Sequence, residues 1–146
     1  MHSTDLADDN CFCFALRQAS RHISNLYERH LAEAGITPTQ FSILGALFSC
    51  SNLTMAELAK VMVMDRTTLV RVLKPMLTRG LVASFADDED ARRLRVVLTG
   101  AGRTKHDEAV AHWAAAQACF EHRFGQQQAA LLRSELFRTT SDVFEE

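Results

Sequence analysis

Apolar residues in the first part of the chain recur at three- and four-residue steps. Phe12, Leu16, Ala19, Ile23 and Leu26, continued by His30, mark one face of an amphipathic helix from Cys11 to Ala34. Gly35 ends it. Thr37 and Pro38 then restart a helix, the hydroxyl as N-cap and the proline where a missing N–H costs nothing. This second helix reaches about Cys50, with Phe41, Leu44 and Phe48 on one side and Ile43 and Leu47 beside them. Ser51-Asn52-Leu53 reads as a short loop. Thr54 and Glu57 have the spacing of a capping box and open a short helix that ends near Lys60 to Val61. After the tight connection Val63-Met64, Asp65 N-caps a helix from about Arg66 to Arg79, which Gly80 terminates.

Beyond Gly80 the period changes. Leu81 to Phe85 is short and apolar, ADDEDARR is a charged tip, and Leu94 to Leu98 is β-branched at its centre, so a two-stranded hairpin is predicted. Thr99 caps a long helix, Ala101 to Phe124, with the stripe Val110, Trp113, Gln117, Phe120 and Phe124. Gly125 breaks it, and a last helix over about Gln127 to Phe144 carries Leu132, Leu136 and Val143. Pro75 lies inside the fourth predicted helix. Either the helix bends there or it stops at Lys74.

A short capped helix, a tight turn, a second capped helix and a hairpin describe a winged helix-turn-helix. The fold class is mainly α with a small β-hairpin wing. The second helix of such a pair enters the major groove by its N-terminus. Leu69, Val72, Leu73 and Met76 form its packing side, and Arg66, Thr67, Thr68 and Arg71 its polar front, with Lys74 one turn further on. Arginine can bond two acceptors on guanine, and threonine can meet a phosphate or a thymine methyl. Arg92 and Arg93 at the hairpin tip suit a narrow, electronegative minor groove. The carboxylates of the tip, 87–90, would repel phosphates unless they turn away or pair with Arg79, Arg92 or Arg93. Asp90 is the leading candidate for pairing.

Bulk properties alter this picture little. The chain has 146 residues, 47 % hydrophobic and 23 % charged, which suits one domain with a sizeable core. A net charge of −2 does not advertise nucleic-acid binding, but seven of the 16 Lys and Arg lie between Arg66 and Arg95, and the local field at the contact surface is what matters. No apolar run is long enough to span a membrane. The opening MHSTDLADDN lacks the form of a secretory signal, so a cytoplasmic location with reduced thiols is expected. Cysteines at 11, 13, 50 and 119 make no CxxC pair, so neither a metal nor any cofactor is expected. Of the other donors, only Cys119 and His122 have a ligand-like helical spacing. No nucleophile elbow, phosphate-binding glycine loop or carboxylate cluster outside the wing points to an enzyme.

The segment Asp90-Ala-Arg92, five further residues, Leu98-Thr99 and then Gly102 resembles the wing of the MarR family of bacterial transcription regulators. The resemblance extends to Gly35–Phe41, Leu58-Ala59, Asp65–Leu69 with Arg71 and Leu73, and Gly80–Val82. It implies one domain over 1–146, with 38–99 as the DNA-binding part and 11–34 and 101–146 as dimerisation helices. It further implies a homodimeric repressor on a pseudo-palindromic double-stranded DNA operator, released by a small aromatic or other organic ligand. Arg92 becomes the minor-groove residue and Asp90 its positioner. Ser84 and Phe85 stand where the family often has a basic residue, so a backbone contact is missing there. A winged-helix module that binds only protein is the alternative of another class, and it would show no salt-sensitive DNA affinity.

Cys13-Phe14-Ala15-Leu16 resembles the opening of helix one in the organic-hydroperoxide sensors of that family. Tyr27 matches a tyrosine that holds the reactive thiol in them, while Arg17 departs from a second tyrosine. Under that reading Cys13 is the redox centre and Cys11 a partner thiol or packing residue. Free cysteines are more often packing residues, which leaves ligand sensing with structural cysteines as the main reading.

Overall fold

The computed structural model describes residues 10–141. The elements are α1 (Phe12–Leu31), a 3-10 turn (Ala32–Ala34), α2 (Pro38–Ser49), β1 (Asn52–Thr54), α3 (Met55–Met62), α4 (Arg66–Thr78), β2 (Val82–Ala86), β3 (Leu94–Leu98), α5 (Gly100–Phe124) and α6 (Gln126–Arg138). Each anticipated cap is in place. The side chains of Thr37, Thr54, Asp65 and Thr99 accept from the backbone N–H three residues on, and Gln40 and Glu57 reciprocate in full capping boxes. Gly35 and Gly80, at φ +74 and +71, stop their helices in the left-handed region that L side chains avoid.

Two details differ from the sequence reading, and the alternative left open at Pro75 is decided. Residues 52–54, expected as loop, form a strand antiparallel to β3, giving the sheet order β1-β3-β2 with Asn52 opposite Val97 and Thr54 opposite Arg95. Three residues carry no period of their own, and their strand exists only because β3 offers them a ladder. Helix α4 runs through Pro75 to Thr78, so it does not end at Lys74. On α5 the buried positions are Gly102, Ala109 and Ala116, seven apart, while Val110, Trp113 and Phe124 remain exposed and Gln117 and Phe120 half-buried. Small residues let α5 approach α1 and α2 closely, while Trp113 stacks on Phe41 and Gln117 meets Tyr27 at the edge of that contact. The last helix ends at Arg138, short of the expected Phe144, because Thr139 caps it and Thr140 and Ser141 turn away from helical geometry. Val143 and Phe144 lie outside the described residues.

The core gathers Leu31, Ile36, Ile43, Leu44, Leu47, Leu58, Leu69, Leu73, Met76 and Val96, so α2, α3, α4 and the sheet enclose one apolar centre. It seats α4 by its back and leaves its other side to solvent. Helix α1 adds Leu31 to this core, with Tyr27 packed half-buried against it; Phe12 is 86 % exposed, and Leu16 is exposed as well.

Candidate nucleic-acid interface

Asp65 fixes the start of α4. Its Oδ1 accepts the Thr68 N–H at 2.7 Å, and that bond, helped by Arg71, holds its carboxyl below the usual carboxylate range. Leu69, Leu73 and Met76 are buried, with Val72 half-buried. Arg66, Thr67, Arg71 and Lys74 are all exposed, as an element laid in a groove requires. Thr68 is half-buried and sits beside the packing side, so among the sequence candidates it is the one off the open face. Val70, exposed between Arg66 and Lys74, joins that face, and as an apolar residue it carries no mark of it in the sequence.

Two residues before Asp65, Val63 is left-handed at φ 52 and ψ 50. A β-branched residue is costly there. Its N–H bonds the carbonyl of Lys60, and the Met64 N–H bonds that of Ala59, so the turn between α3 and α4 is closed by backbone alone.

The wing projects from the same end. Asp90 closes its tip: Oδ1 accepts the Arg92 N–H at 3.0 Å, the carbonyl accepts the Arg93 N–H at 2.9 Å, and the Arg92 Nε lies 3.7 Å away. Arg92 is 96 % exposed. Arg66 from α4 and Arg92 and Arg93 from the wing line one cleft with Met55, Ala56, Asp90 and Leu94. Folding therefore places cations 26 and 27 residues apart in sequence along a single surface.

The other tip carboxylates divide. Asp88 and Glu89 are exposed, whereas Asp87 is buried and faces Arg93 and Arg95. Burial pushes the Asp87 carboxyl up, but the Glu89 N–H and the guanidiniums of Arg95 and Arg93 outweigh it and leave it below the ordinary value. Neither Asp87 nor Arg95 stood out in the sequence. Arg79, a candidate partner for the tip, instead donates to the Gly35 carbonyl at 2.9 Å and ties the end of α4 to the start of α2.

At the other end of the chain, Cys11 is the N-cap of α1, its Sγ accepting the Phe14 N–H at 3.4 Å. Cys13 lies in the first turn, exposed. Tyr27 does not meet it within the chain. Fourteen residues of helix span about 21 Å, and the Tyr27 hydroxyl donates to Gln117 Oε1 of α5. Burial, with Glu121 adding, raises the pKa of that phenol. No cluster of three metal-ligating side chains occurs among the described residues. His112 approaches Glu33 at 3.2 Å, and His106 stacks between Phe41 and Phe48, with ring centroids 5.5 and 4.4 Å away.

The family model described as "MarR family" matches residues 36–94, which run from the start of α2 into β3. The organic hydroperoxide resistance transcriptional regulator of Bacillus subtilis is 30 % identical over 102 residues, 70 % of this chain and 69 % of that protein. The chain belongs to the MarR family. A solved structure of the M. tuberculosis transcriptional regulator MosR in complex with DNA is 35 % identical, covers 90 % of this chain and 94 % of that one, and superposes with a TM-score of 0.81. The PcaV regulator of Streptomyces coelicolor, solved with its natural ligand, shares the fold at 22 % identity and a TM-score of 0.82, covering 98 % and 99 % of the two chains. This MarR-family chain is a DNA-binding transcription regulator, not an enzyme. No helix among the described residues is long and apolar enough to cross a membrane.

Proposed function

We propose that this MarR-family regulator acts in the cytoplasm as a homodimeric repressor that grips a pseudo-palindromic operator and leaves it when a small organic ligand binds. Residues 38–99 are the DNA-binding part, and 11–34 and 101–146 the dimerisation helices. Arg66, Thr67, Arg71 and Lys74 address the major groove and its phosphates, with Thr68 at the edge, and Arg92 and Arg93 address the minor groove and flanking backbone. The observation that carries this is the shared cleft, which joins the start of α4 to the wing tip with three guanidiniums on one surface.

Dimerisation is supported by the exposed apolar side chains at the far end, Phe12, Phe124, Leu131 and Phe137. Two-fold symmetry then presents two α4 helices to two half-sites. Support for a ligand comes from the aromatic ladder Trp113–Phe41–His106–Phe48, which joins α5 to α2 where the dimer helices meet the DNA-binding part. Buried in that ladder, His106 Nδ1 has no hydrogen-bond partner among the described residues.

Fluorescence anisotropy on the regulator's own promoter fragment tests the reading. Binding should weaken steeply with salt. Arg92→Ala should weaken every operator variant, and Arg71→Ala should cost about 1–3 kcal/mol and relax base preference. Salt-independent or absent DNA binding would instead favour a protein-interaction module. A panel of aromatic acids titrated into the complex tests release.

A second reading, organic-peroxide sensing through Cys13, is favoured by the exposed thiol pair at the start of α1 and by the B. subtilis relative. The Cys13 thiolate would attack the peroxide, giving a sulfenic acid and releasing an alcohol. Cys11 would lose its capping role if it then condensed with that sulfenic acid. Tyr27 would serve this site only across the dimer. Peroxide-driven release that persists in Cys13→Ser removes Cys13 from the account.

A further inference from the structure

Four carboxylates on a DNA-facing tip are an electrostatic cost, and one of them is not spent facing solvent. The Asp87 side chain is 8 % exposed, and Asp87 is the one buried charged residue among the described residues. Its Oδ2 lies 3.8 Å from Arg93 Nη1 and its Oδ1 3.5 Å from Arg95 Nε, and Oδ1 accepts the Glu89 N–H at 3.4 Å. The Asp87 N–H bonds the Arg93 carbonyl at 2.8 Å, closing the hairpin just below the tip.

Arg95 carries the connection onward. Its Nη1 donates to Asn52 Oδ1 at 2.6 Å. Asn52 opens β1, and β1 ends at Thr54, the residue that N-caps α3. One chain of polar contacts, Asp87–Arg95–Asn52, thus runs from the neck of the wing to the strand that starts the helix-turn-helix. Among the described residues, Arg92, by contrast, is tethered only to Asp90 of the same turn. That turn is carried by the hairpin neck beneath it.

We propose that Asp87 is a positioning residue for DNA recognition: through Arg95 and Asn52 it holds the wing neck against the helix-turn-helix, so that Arg92 and α4 meet one duplex at a fixed spacing. The proposal rests on the DNA-facing assignment of Arg92 and α4. It makes a prediction of opposite sign to simple electrostatics. Removing a carboxylate beside phosphates should tighten binding. Asp88→Asn, on an exposed residue of the same tip, should do that. Asp87→Asn should weaken operator binding, although it makes the same change in charge.

The experiment is anisotropy on operator DNA and on a scrambled duplex, with the full-length chain as wild type, Asp87→Asn, Asp88→Asn, Arg92→Ala and the double variant Asp87→Asn with Arg92→Ala. Asp87→Asn is expected to lose at least about threefold on the operator and to gain on the scrambled duplex. With Arg92 already removed, Asp87→Asn should change operator affinity by less than about twofold, because nothing remains at the tip to misplace. Asn52→Ala, on an exposed side chain at the far end of the link, should show the same dependence on Arg92 and serves if Asp87→Asn fails to fold. If Arg92→Ala weakens binding while Asp87→Asn tightens it like Asp88→Asn, or if the losses of Asp87→Asn and Arg92→Ala simply multiply, the positioning role is overturned. If Arg92→Ala binds like wild type, the wing assignment falls and the proposal with it.

Discussion

Gly102→Ala should cripple this protein although it adds one methyl group. Gly102 is buried in the first turn of α5, where Thr99 caps the helix and also donates to the Gly80 carbonyl at 2.6 Å. A Cβ at Gly102 would overlap the Leu81 carbonyl oxygen outright and come within 2.8 Å of Leu98 Cδ1 and 2.9 Å of the Leu81 carbonyl carbon. The obstacle is mostly backbone, so no rotamer change relieves it; α5 must move away from the start of β2. Overpacking of this kind costs about 1–3 kcal/mol. For a chain of roughly 150 residues each kcal/mol lowers Tm by about 2–4 °C, so a drop of about 2–12 °C is expected by circular dichroism at 222 nm. Operator affinity should fall with it, because α5 is the rod connecting the wing to the proposed dimer end. Gly45→Ala is the control: a Cβ there meets nothing within 4 Å, and in mid-helix it should be neutral or stabilise by about 0.4–1 kcal/mol. A Gly102→Ala protein that melts within a degree of wild type and binds operator equally well would refute the close-packing argument.

Leu69→Ala removes a side chain with no exposure behind α4 and should cost about 2–5 kcal/mol in chemical denaturation; a smaller loss would mean that α4 is not anchored by its back. Asp65→Ala should lower Tm, with a pH signature. The folded carboxyl titrates below its unfolded value, so its contribution is complete above the unfolded pKa of about 3.9 and fades as pH falls through the folded one. The gap to wild type should be wide near pH 7 and narrow near pH 3, and an equal gap at both would remove the capping bond as the cause. Phe137→Asp, on an exposed face of α6, should shift sedimentation from dimer to monomer and sharply reduce operator affinity. Unchanged sedimentation would place the dimer contact elsewhere.

What could be read from the chain beforehand was local chemistry. Thr37, Thr54, Asp65 and Thr99 announced four helix starts because an N-cap is satisfied within three residues, and Gly35 and Gly80 announced stops because few other residues tolerate their φ. The packing side of α4 followed from period alone. What stayed hidden depends on partners distant in sequence. Residues 52–54 became a strand through β3, some forty residues on. Tyr27 found Gln117, ninety residues away. The stripe of α5 marked bulky positions only; Ala109 and Ala116, which pack closest, are small and carry no such mark. At the candidate site, Arg92 and Asp90 were legible as a motif. Asp87 was not, because a buried acid and an exposed one share the same letter, and only the hairpin register sets Arg93 and Arg95 against it.

Thr54 is at once the last residue of β1 and the cap of α3, and only Val63, Met64 and Asp65 separate α3 from α4. From Asn52 to Arg66 there is accordingly no spare chain: an inserted residue would break a strand pair, a cap or the strained turn at Val63. The tip around residues 88–91 lies outside the strand ladder and is closed only by its own turn, through Asp87 and Asp90. Across relatives, this architecture should change its operator by substitution on α4 and by lengthening or shortening the wing tip. Insertions between β1 and α4 should be rare, so the spacing of those parts should serve as a ruler that diverging sequences inherit intact.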